Sequence, residues 1–370
     1  MRNNKLKVLL IISDIDKSLG FEWTVNGLNS QTNLICILIA NPNSNFQAYL
    51  TTHKIVYKLL NGKAGSLRLW WQLFQIIKSE KPDVVHCHLW RATTLGLSSS
   101  WLLGIKKRIF TRHHALVHYR EFPSGRKWDL MMNVLATDII AVSKNIQHIL
   151  VQRDGANQKK IALLHHGFQF SYFTNVSTER ISNLKRKLNI QSRRPVIGVI
   201  SRYVEWKGVE VVIDSFVNLL QDYPEAHLIL ANAHGPHRGS IEASLKPLPK
   251  SSFTEVTFEE DLAALYRIFT IYVHTPIDAE SEAFGQTYVE ALISGVPSVF
   301  TLSGVATEFI QDGVNALVVP FNNPEAILEK MKLLLESPKL KRQISEQGVA
   351  SVGRFSIDKM VSGLMELYGR

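Results

Sequence analysis

The chain has 370 residues, 45% of them hydrophobic and 20% charged, with a formal net charge of +10. Its length points to two or three domains with cores large enough to need no staples, and its ordinary apolar content excludes disorder. Two cysteines, Cys36 and Cys87, exclude a disulfide framework and point to a reducing compartment. No apolar run reaches the ~18 residues of a membrane span, and the stretch 8–12 is too short for a signal peptide. The expectation is a soluble cytoplasmic protein.

Charge is unevenly divided. Residues 1–194 hold 28 Lys and Arg against 10 Asp and Glu, while residues 195–370 hold 14 against 22. Such asymmetry fits two bodies with different partners, the basic half facing anionic lipid, an anionic substrate or nucleic acid. It also fits two halves that attract each other across a cleft.

Short apolar runs at 7–13, 34–40, 83–88, 108–113, 138–143 and 161–165 predict buried strands, with helices at 66–79, 91–103, 125–135 and 144–154 between them. Alternation of this kind implies right-handed crossovers and a parallel sheet. The polar, basic stretch 177–194 reads as a linker. The pattern then restarts, with strands at 196–201, 227–231, 253–258, 271–274, 298–302 and 316–319. Helices are expected at 208–220, 261–268, 286–294, 324–335, 339–349 and 356–367, with Ser356 an N-cap for the last. The predicted fold class is α/β, two doubly wound Rossmann-like domains facing an interdomain cleft. The expected divisions are 1–185, 186–352 and 353–370. Ligands in such sheets bind at the carboxyl ends of the strands, which makes the cleft the default site.

Two segments carry candidate chemistry. In Ser201-Arg202-Tyr203-Val204-Glu205-Trp206-Lys207-Gly208 a predicted strand ends and a helix begins. A helix start attracts phosphate through free N–H groups and its dipole, and the Arg202 guanidinium with the Lys207 ammonium would complete a diphosphate clamp. In Glu282-Ala283-Phe284-Gly285-Gln286-Thr287-Tyr288-Val289-Glu290 the two carboxylates stand eight positions apart. On a helix that is ~12 Å of rise, enough to grip the hexose and ribose ends of a nucleotide sugar through paired hydroxyls. Gly285 lets backbone approach a ligand. Taken alone, each segment also fits solvated surface charges.

Together, R-x4-K-G after a strand, E-x7-E some 75 residues later, and Ala291-Leu292-Ile293-Ser294-Gly295-Val296-Pro297 resemble one family. It is the retaining glycosyltransferases of the GT-B fold, family 4, which includes bacterial lipopolysaccharide and mannosyl transferases. The resemblance spans most of the chain. It includes Asp83-Val84-Val85-His86-Cys87-His88, Phe110-Thr111-Arg112-His113, 138–143, 160–167 and 304–319.

The resemblance implies roles: an acceptor-side domain at 1–185, a nucleotide-sugar-binding domain at 186–352, and a C-terminal helix at 353–370 that packs back on the first domain. Arg202 and Lys207 would neutralise the departing nucleotide diphosphate. Glu282 would hold donor-sugar hydroxyls, helped by backbone N–H groups of Ala283, Phe284 and Gly285, and Glu290 would bind the ribose. His113, preferred over His114, would sit near the transferred sugar. No cofactor and no metal is expected. The donor is a substrate, a UDP-sugar ahead of a GDP-sugar, and the acceptor a glycan or lipid-linked sugar. With no obvious nucleophile, a front-face displacement is expected, in which the leaving phosphate helps deprotonate the acceptor. The place would be the cytoplasm, peripheral at the inner face of the membrane.

Some positions depart from the family pattern. The loop 13–21 has only Gly20, Ser201 and Val305 replace glycines, Ala316 replaces another, and His166 stands where Asn is usual. Asp14-Ile15-Asp16 superficially matches the D-x-D metal motif of the other glycosyltransferase fold, but its place at a strand end favours structural or acceptor-facing acids. His86 and His88 would share one strand face without further metal-ligand spacing. Leu69, Trp70, Leu73, Phe74 and Ile77 read as a core helix. Residues 118–132 mix aromatics with Arg and Lys, as membrane interfaces do. Competing readings are a nucleotide-sugar epimerase or soluble glycan synthase on the same fold, and a nucleic-acid-binding protein. The last lacks an RNA- or DNA-reading motif, and no nucleic-acid partner is expected.

Overall fold

The computed structural model describes residues 5–62 and 66–370. The chain divides into two compact units. One comprises the described residues of Met1–Phe168 together with Phe355–Arg370, the other Gln169–Arg354.

The first unit is built on seven strands: β1 Lys7–Ser13, β2 Asn33–Ile39, β3 Tyr57–Leu60, β4 Val84–His88, β5 Lys107–Arg112, β6 Asp138–Ala141 and β7 Ile161–Leu163. They lie in the order β3-β2-β1-β4-β5-β6-β7, all parallel, with Val8 opposite Leu34 on one side and Val84 on the other. The near-continuous apolar runs of β1 and β2 follow from burial on both faces. The order reverses between β1 and β4, the place where doubly wound sheets commonly bind ligands at the carboxyl ends of their strands.

The end of the chain completes this unit. Ser356 caps the helix Ile357–Gly369 by accepting from Lys359 N at 3.4 Å. The helix lays Ile357, Met360, Val361, Leu364, Leu367 and Tyr368 into the core formed by β1, β2 and the helix Leu19–Gln31. Six apolar side chains at about 1.5–3 kcal/mol each amount to on the order of 10 kcal/mol, an upper value. Gly27 marks the contact, since a Cβ there would lie 2.5 Å from Val361 Cγ2.

The second unit has six parallel strands: β8 Val196–Ile200, β9 His227–Ala231, β10 Phe253–Val256, β11 Ile271–His274, β12 Ser298–Phe300 and β13 Leu317–Val318. Their order, β10-β9-β8-β11-β12-β13, reverses between β8 and β11. Two doubly wound parallel α/β sheets are thus present.

Several local expectations are corrected. The stretch read as a linker contains the helix Thr178–Lys187, capped by Ser177, with Glu179 in its first turn and Lys185, Arg186 and Lys187 in its last. That distribution complements the helix dipole. Its Arg180 grips Asp261 with two nitrogens, 2.8 and 2.5 Å. This helix and Phe170–Thr174 pack on Leu262–Ile268 of the second unit, so the first unit ends at Phe168 rather than at 185. The expected helix 144–154 is α-helical only over Lys144–His148 and continues as a wider π turn, Ile149–Arg153. Helices Leu19–Gln31, Asn45–Thr52 and Arg238–Leu245 and the edge strand β3 were not foreseen.

Candidate active site

In the second unit the chain leaves β8 at Ser201 and makes one 3-10 turn, Glu205–Lys207, before the helix Val209–Asp222. Gly208 joins them at φ +62°, and a Cβ there would fall 2.3 Å from Thr275 O. The loop after β8 is thereby pressed against the loop after β11, and Ile277 N donates to Trp206 O at 3.1 Å. This is the reversal point of the sheet, and it delivers the Lys207 ammonium to the Glu282 carboxylate, with Lys207 Nζ and Glu282 Oε1 in direct contact. Lys207 Nζ also lies 4.5 Å from the centre of the Trp206 ring.

Glu282 is 5% exposed. Besides Lys207 it meets His274 at the end of β11, Nε2 to Oε1 2.9 Å, and its N–H donates to Ser303 Oγ at 3.2 Å. Burial pushes its carboxyl up, but Lys207 and His274 outweigh burial and hold it at about 2. Burial in turn lowers the His274 imidazole, against the pull of Glu282. The segment behind Glu282 is fixed by glycines. Gly304, at φ +58°, has no room for a Cβ, which would lie 2.8 Å from both Glu282 Cβ and Phe284 O, and Val305 N donates to Phe284 O at 2.9 Å. Ala283 and Phe284 lead to Gly285, at φ +84°, which begins the helix Gln286–Ile293 without a side-chain cap.

Glu290 lies inside that helix, 7% exposed, and accepts from Tyr266 OH at 2.8 Å. Burial raises its carboxyl to about 7, only partly opposed by Tyr266. The two glutamates therefore differ: one is held ionised by a cation, the other is poised near neutrality. Arg202 is exposed, and among the described residues no acid pairs with its guanidinium. The structure thus brings Lys207 to Glu282 and leaves Arg202 in solvent beside the same strand end. His274 was not singled out from the sequence, although a histidine ending a predicted strand was the available signal.

In the first unit, β4 and β5 end side by side in a group of buried imidazoles. His86 and His88 share a face of β4, with ring centres 4.1 Å apart. His86 is bonded at both nitrogens, Nδ1 to Tyr368 OH at 2.7 Å and Nε2 to Thr111 Oγ1 at 2.8 Å. His88 Nδ1 meets His113 Nε2 at 2.9 Å. Burial, then the neighbouring rings, holds the His88 and His113 imidazoles well below their usual range. His114 joins a different group. The fully buried Arg112 pairs with Asp129 at 2.8 Å and faces Asp154 at 3.5 Å, and His118 Nδ1 donates to Asp129 at 2.7 Å. Among the described residues, His114, His118 and Asp129 alone bring three potential metal ligands within 4.8 Å, and the guanidinium already answers the charge of that carboxylate.

The two acids of Asp14-Ile15-Asp16 have separate tasks. Asp16 accepts from Asn45 N and Nδ2, at 3.0 and 2.8 Å, and so anchors the helix Asn45–Thr52. Asp14 pairs with Arg91 at 3.1 Å. Both line a cavity of about 410 Å³ at the ends of β1 and β2, with Asn41, Ser44 and Arg91.

Comparison with known proteins agrees with this architecture. Residues 180–351 match the family model described as glycosyl transferases group 1, and residues 33–171 the model of glycosyltransferase family 4. The chain is 23% identical over 310 residues to the D-inositol 3-phosphate glycosyltransferase of Salinispora arenicola, covering 78% of this chain and 68% of that one. It is 23% identical to the capsular polysaccharide biosynthesis glycosyltransferase CapM of Staphylococcus aureus, covering 80% and 79%. The crystal structure of Anabaena Alr3699/HepE in complex with UDP and glucose superposes with a TM-score of 0.85 at 20% identity, covering 98% and 99% of the two chains. This chain belongs to glycosyltransferase family 4, and its two sheets are those of the GT-B fold. It is a glycosyltransferase that uses a nucleotide-sugar donor.

Proposed function

We propose that the enzyme moves a hexose from a UDP-sugar to a glycan or lipid-linked acceptor, with retention, in the assembly of a cell-surface polysaccharide. The observation that carries this reading is the Lys207–Glu282–His274 cluster at the reversal point of the second sheet, beside the exposed Arg202 guanidinium. The hard event is cleavage of the bond between sugar C1 and the diphosphate oxygen. Preorganised cations at the leaving group are the main lever on such a step. Lys207 and Arg202 take up the charge of the departing UDP, and Glu282 with the backbone of Ala283–Gly285 orients the sugar hydroxyls. Glu290 binds the ribose. The acceptor oxygen bonds to C1 on the face that the diphosphate leaves, and its proton passes to the leaving phosphate oxygen. His113 of the first unit contacts the substrate. The cavity lined by Asp14 and Arg91 suits the hydroxyls of the acceptor. Support for the donor comes from HepE, whose structures hold UDP and glucose or UDP-glucose, and for the pathway from the name of CapM.

Thermal-shift titration with UDP-, GDP- and ADP-glucose tests the donor, because a bound ligand raises stability by mass action. A shift with UDP-glucose alone is expected; a shift only with another nucleotide would replace the donor. Glu282→Gln should lower turnover while UDP still binds. Full activity in that variant would remove Glu282 from the site.

A second reading concerns location. No described helix is long and apolar enough to cross a membrane. The helices Leu67–Glu80, Trp90–Leu102 and Gly125–Leu135 pack side by side. They and the turn before the last expose Leu67, Trp71, Trp101, Leu102, Phe122 and Val134. With the basic excess of this half, that surface suits the anionic inner leaflet. Binding to phosphatidylglycerol vesicles that weakens with salt is expected; no binding at any salt would remove this reading.

A further inference from the structure

His86-Cys87-His88 is the sequence motif that the reaction above leaves unused, and its second histidine touches His113. Neutral imidazole carries one N–H and one bare nitrogen, so the contact between His88 Nδ1 and His113 Nε2 has two possible senses. If His113 donated, His88 would carry its own proton on Nε2. That atom is buried and, among the described residues, has no hydrogen-bond partner. A buried N–H without an acceptor is rare in folded proteins. If His88 donates instead, its Nε2 is only a bare lone pair, and no donor is stranded.

The rest of the group fixes the rings in which this choice is made. Tyr368 and Thr111 hold His86 at both nitrogens, and His86 stands 4.1 Å behind His88. Phe21 meets His88 edge-on at 5.1 Å and lies 5.8 Å from His113. His166 stacks on His113 at 5.4 Å with 13° between planes. The His113 ring therefore has little freedom to turn. Its Nε2 is engaged within the protein, whereas among the described residues no group bonds its Nδ1.

We propose that His88 is a positioning residue for the glycosyl transfer: it donates from Nδ1 to His113 Nε2, and so obliges His113 to present Nδ1–H to the substrate as a fixed hydrogen-bond donor. This deepens the site proposed above and rests on His113 contacting substrate. Sequence proximity does not suggest it, because 25 residues separate the two histidines, and the contact exists because β4 and β5 are sheet neighbours.

The test has a spectroscopic and a kinetic arm. In the wild-type protein, nitrogen-15 NMR should show His113 neutral with its proton on Nδ1; a proton on Nε2 would overturn the proposal without reference to activity. His88→Phe keeps a ring against Phe21 and His86 but has no donor. It should lower kcat by about 10- to 100-fold, the scale of a misplaced catalytic group, while KM for UDP-glucose stays within about twofold and the melting temperature shows the protein folded. His88→Asn places an amide N–H near the lost Nδ1–H and should recover most of kcat and restore the His113 tautomer. Equal kcat in wild type and His88→Phe, or equal losses in the Phe and Asn variants, would contradict the proposal. His113→Ala separates the two claims. If it abolishes transfer while His88→Phe is fully active, His113 keeps its role and His88 loses its own. If it leaves transfer unchanged, the substrate contact of His113 itself is wrong.

Discussion

The two units share the order of six strands and place different chemistry at two neighbouring strand ends, β4 and β5 in the first and β8 and β11 in the second. In the first, the strand ends carry imidazoles that burial keeps neutral, bonded to one another and to hydroxyls. In the second, they carry an ammonium locked to an ionised carboxylate, with an exposed guanidinium beside it. The contrast runs against bulk charge, because the basic half holds the neutral rings and the acidic half the cations proposed for phosphate. Net charge thus describes surfaces, while strand-end loops decide what a site can bind.

Removing the charged pair should have the largest effect. Lys207→Ala leaves Glu282 buried with His274 alone, and breaking such a pair costs about 3–5 kcal/mol. Turnover should fall by about 10²- to 10³-fold, as for loss of one transition-state donor. Denaturant unfolding and steady-state kinetics check both, and a stable, active variant would erase the contrast between the units.

The two glutamates of the second unit should respond to pH in opposite ways. Glu282 is lowered on folding from 4.5 to about 2. Its contribution is therefore complete above pH ~4.5 and is lost as pH falls towards 2, a change of roughly 3 kcal/mol. Glu290 is raised from 4.5 to about 7. Its contribution is complete below pH ~4.5 and is lost as pH rises through 7, again by roughly 3 kcal/mol. Glu290→Gln should accordingly melt near wild type at pH 5 but higher than wild type at pH 8, with a raised KM for the donor. A melting difference independent of pH would show that burial does not govern Glu290.

The neutral end should be more forgiving. Tyr368→Phe strands His86 Nδ1 and should cost about 1–2 kcal/mol, the scale of one unmade buried hydrogen bond, with turnover within about twofold of wild type. A loss of turnover out of proportion to stability would mean that the C-terminal helix acts on His88 and His113 through His86.

How much of this was legible in the sequence depended on range. The strand ends, the R-x4-K-G loop and the E-x7-E segment are local patterns, and the structure shows β8 ending beside Lys207 and the helix Gln286–Ile293 following Glu282. What escaped is set by partners far along the chain. The helix Leu19–Gln31 carries a helix-weakening glycine, Gly27, at the point where Val361 of the last helix packs against it. Arg112 read only as a letter in a motif, whereas Asp129 and Asp154 make it a buried ion pair. The run 177–194 looked like a linker because only Leu184 of its helix is buried. The helical spacing places Trp70 and Phe74 in the core, but Leu69, Leu73 and Ile77 fill it, and Phe74 stacks with both Trp70 and the exposed Trp71.

The central claim is that Lys207 and Arg202 receive the charge of the departing diphosphate. Calorimetric titration of UDP and of uridine into wild type, Arg202→Ala and Lys207→Ala isolates that charge, since the two ligands differ only in the phosphates. Each substitution should weaken UDP by about 10- to 100-fold, the worth of one charge-assisted hydrogen bond, and leave uridine unchanged. Equal affinity for UDP in all three proteins, or a parallel loss of uridine, would contradict the account.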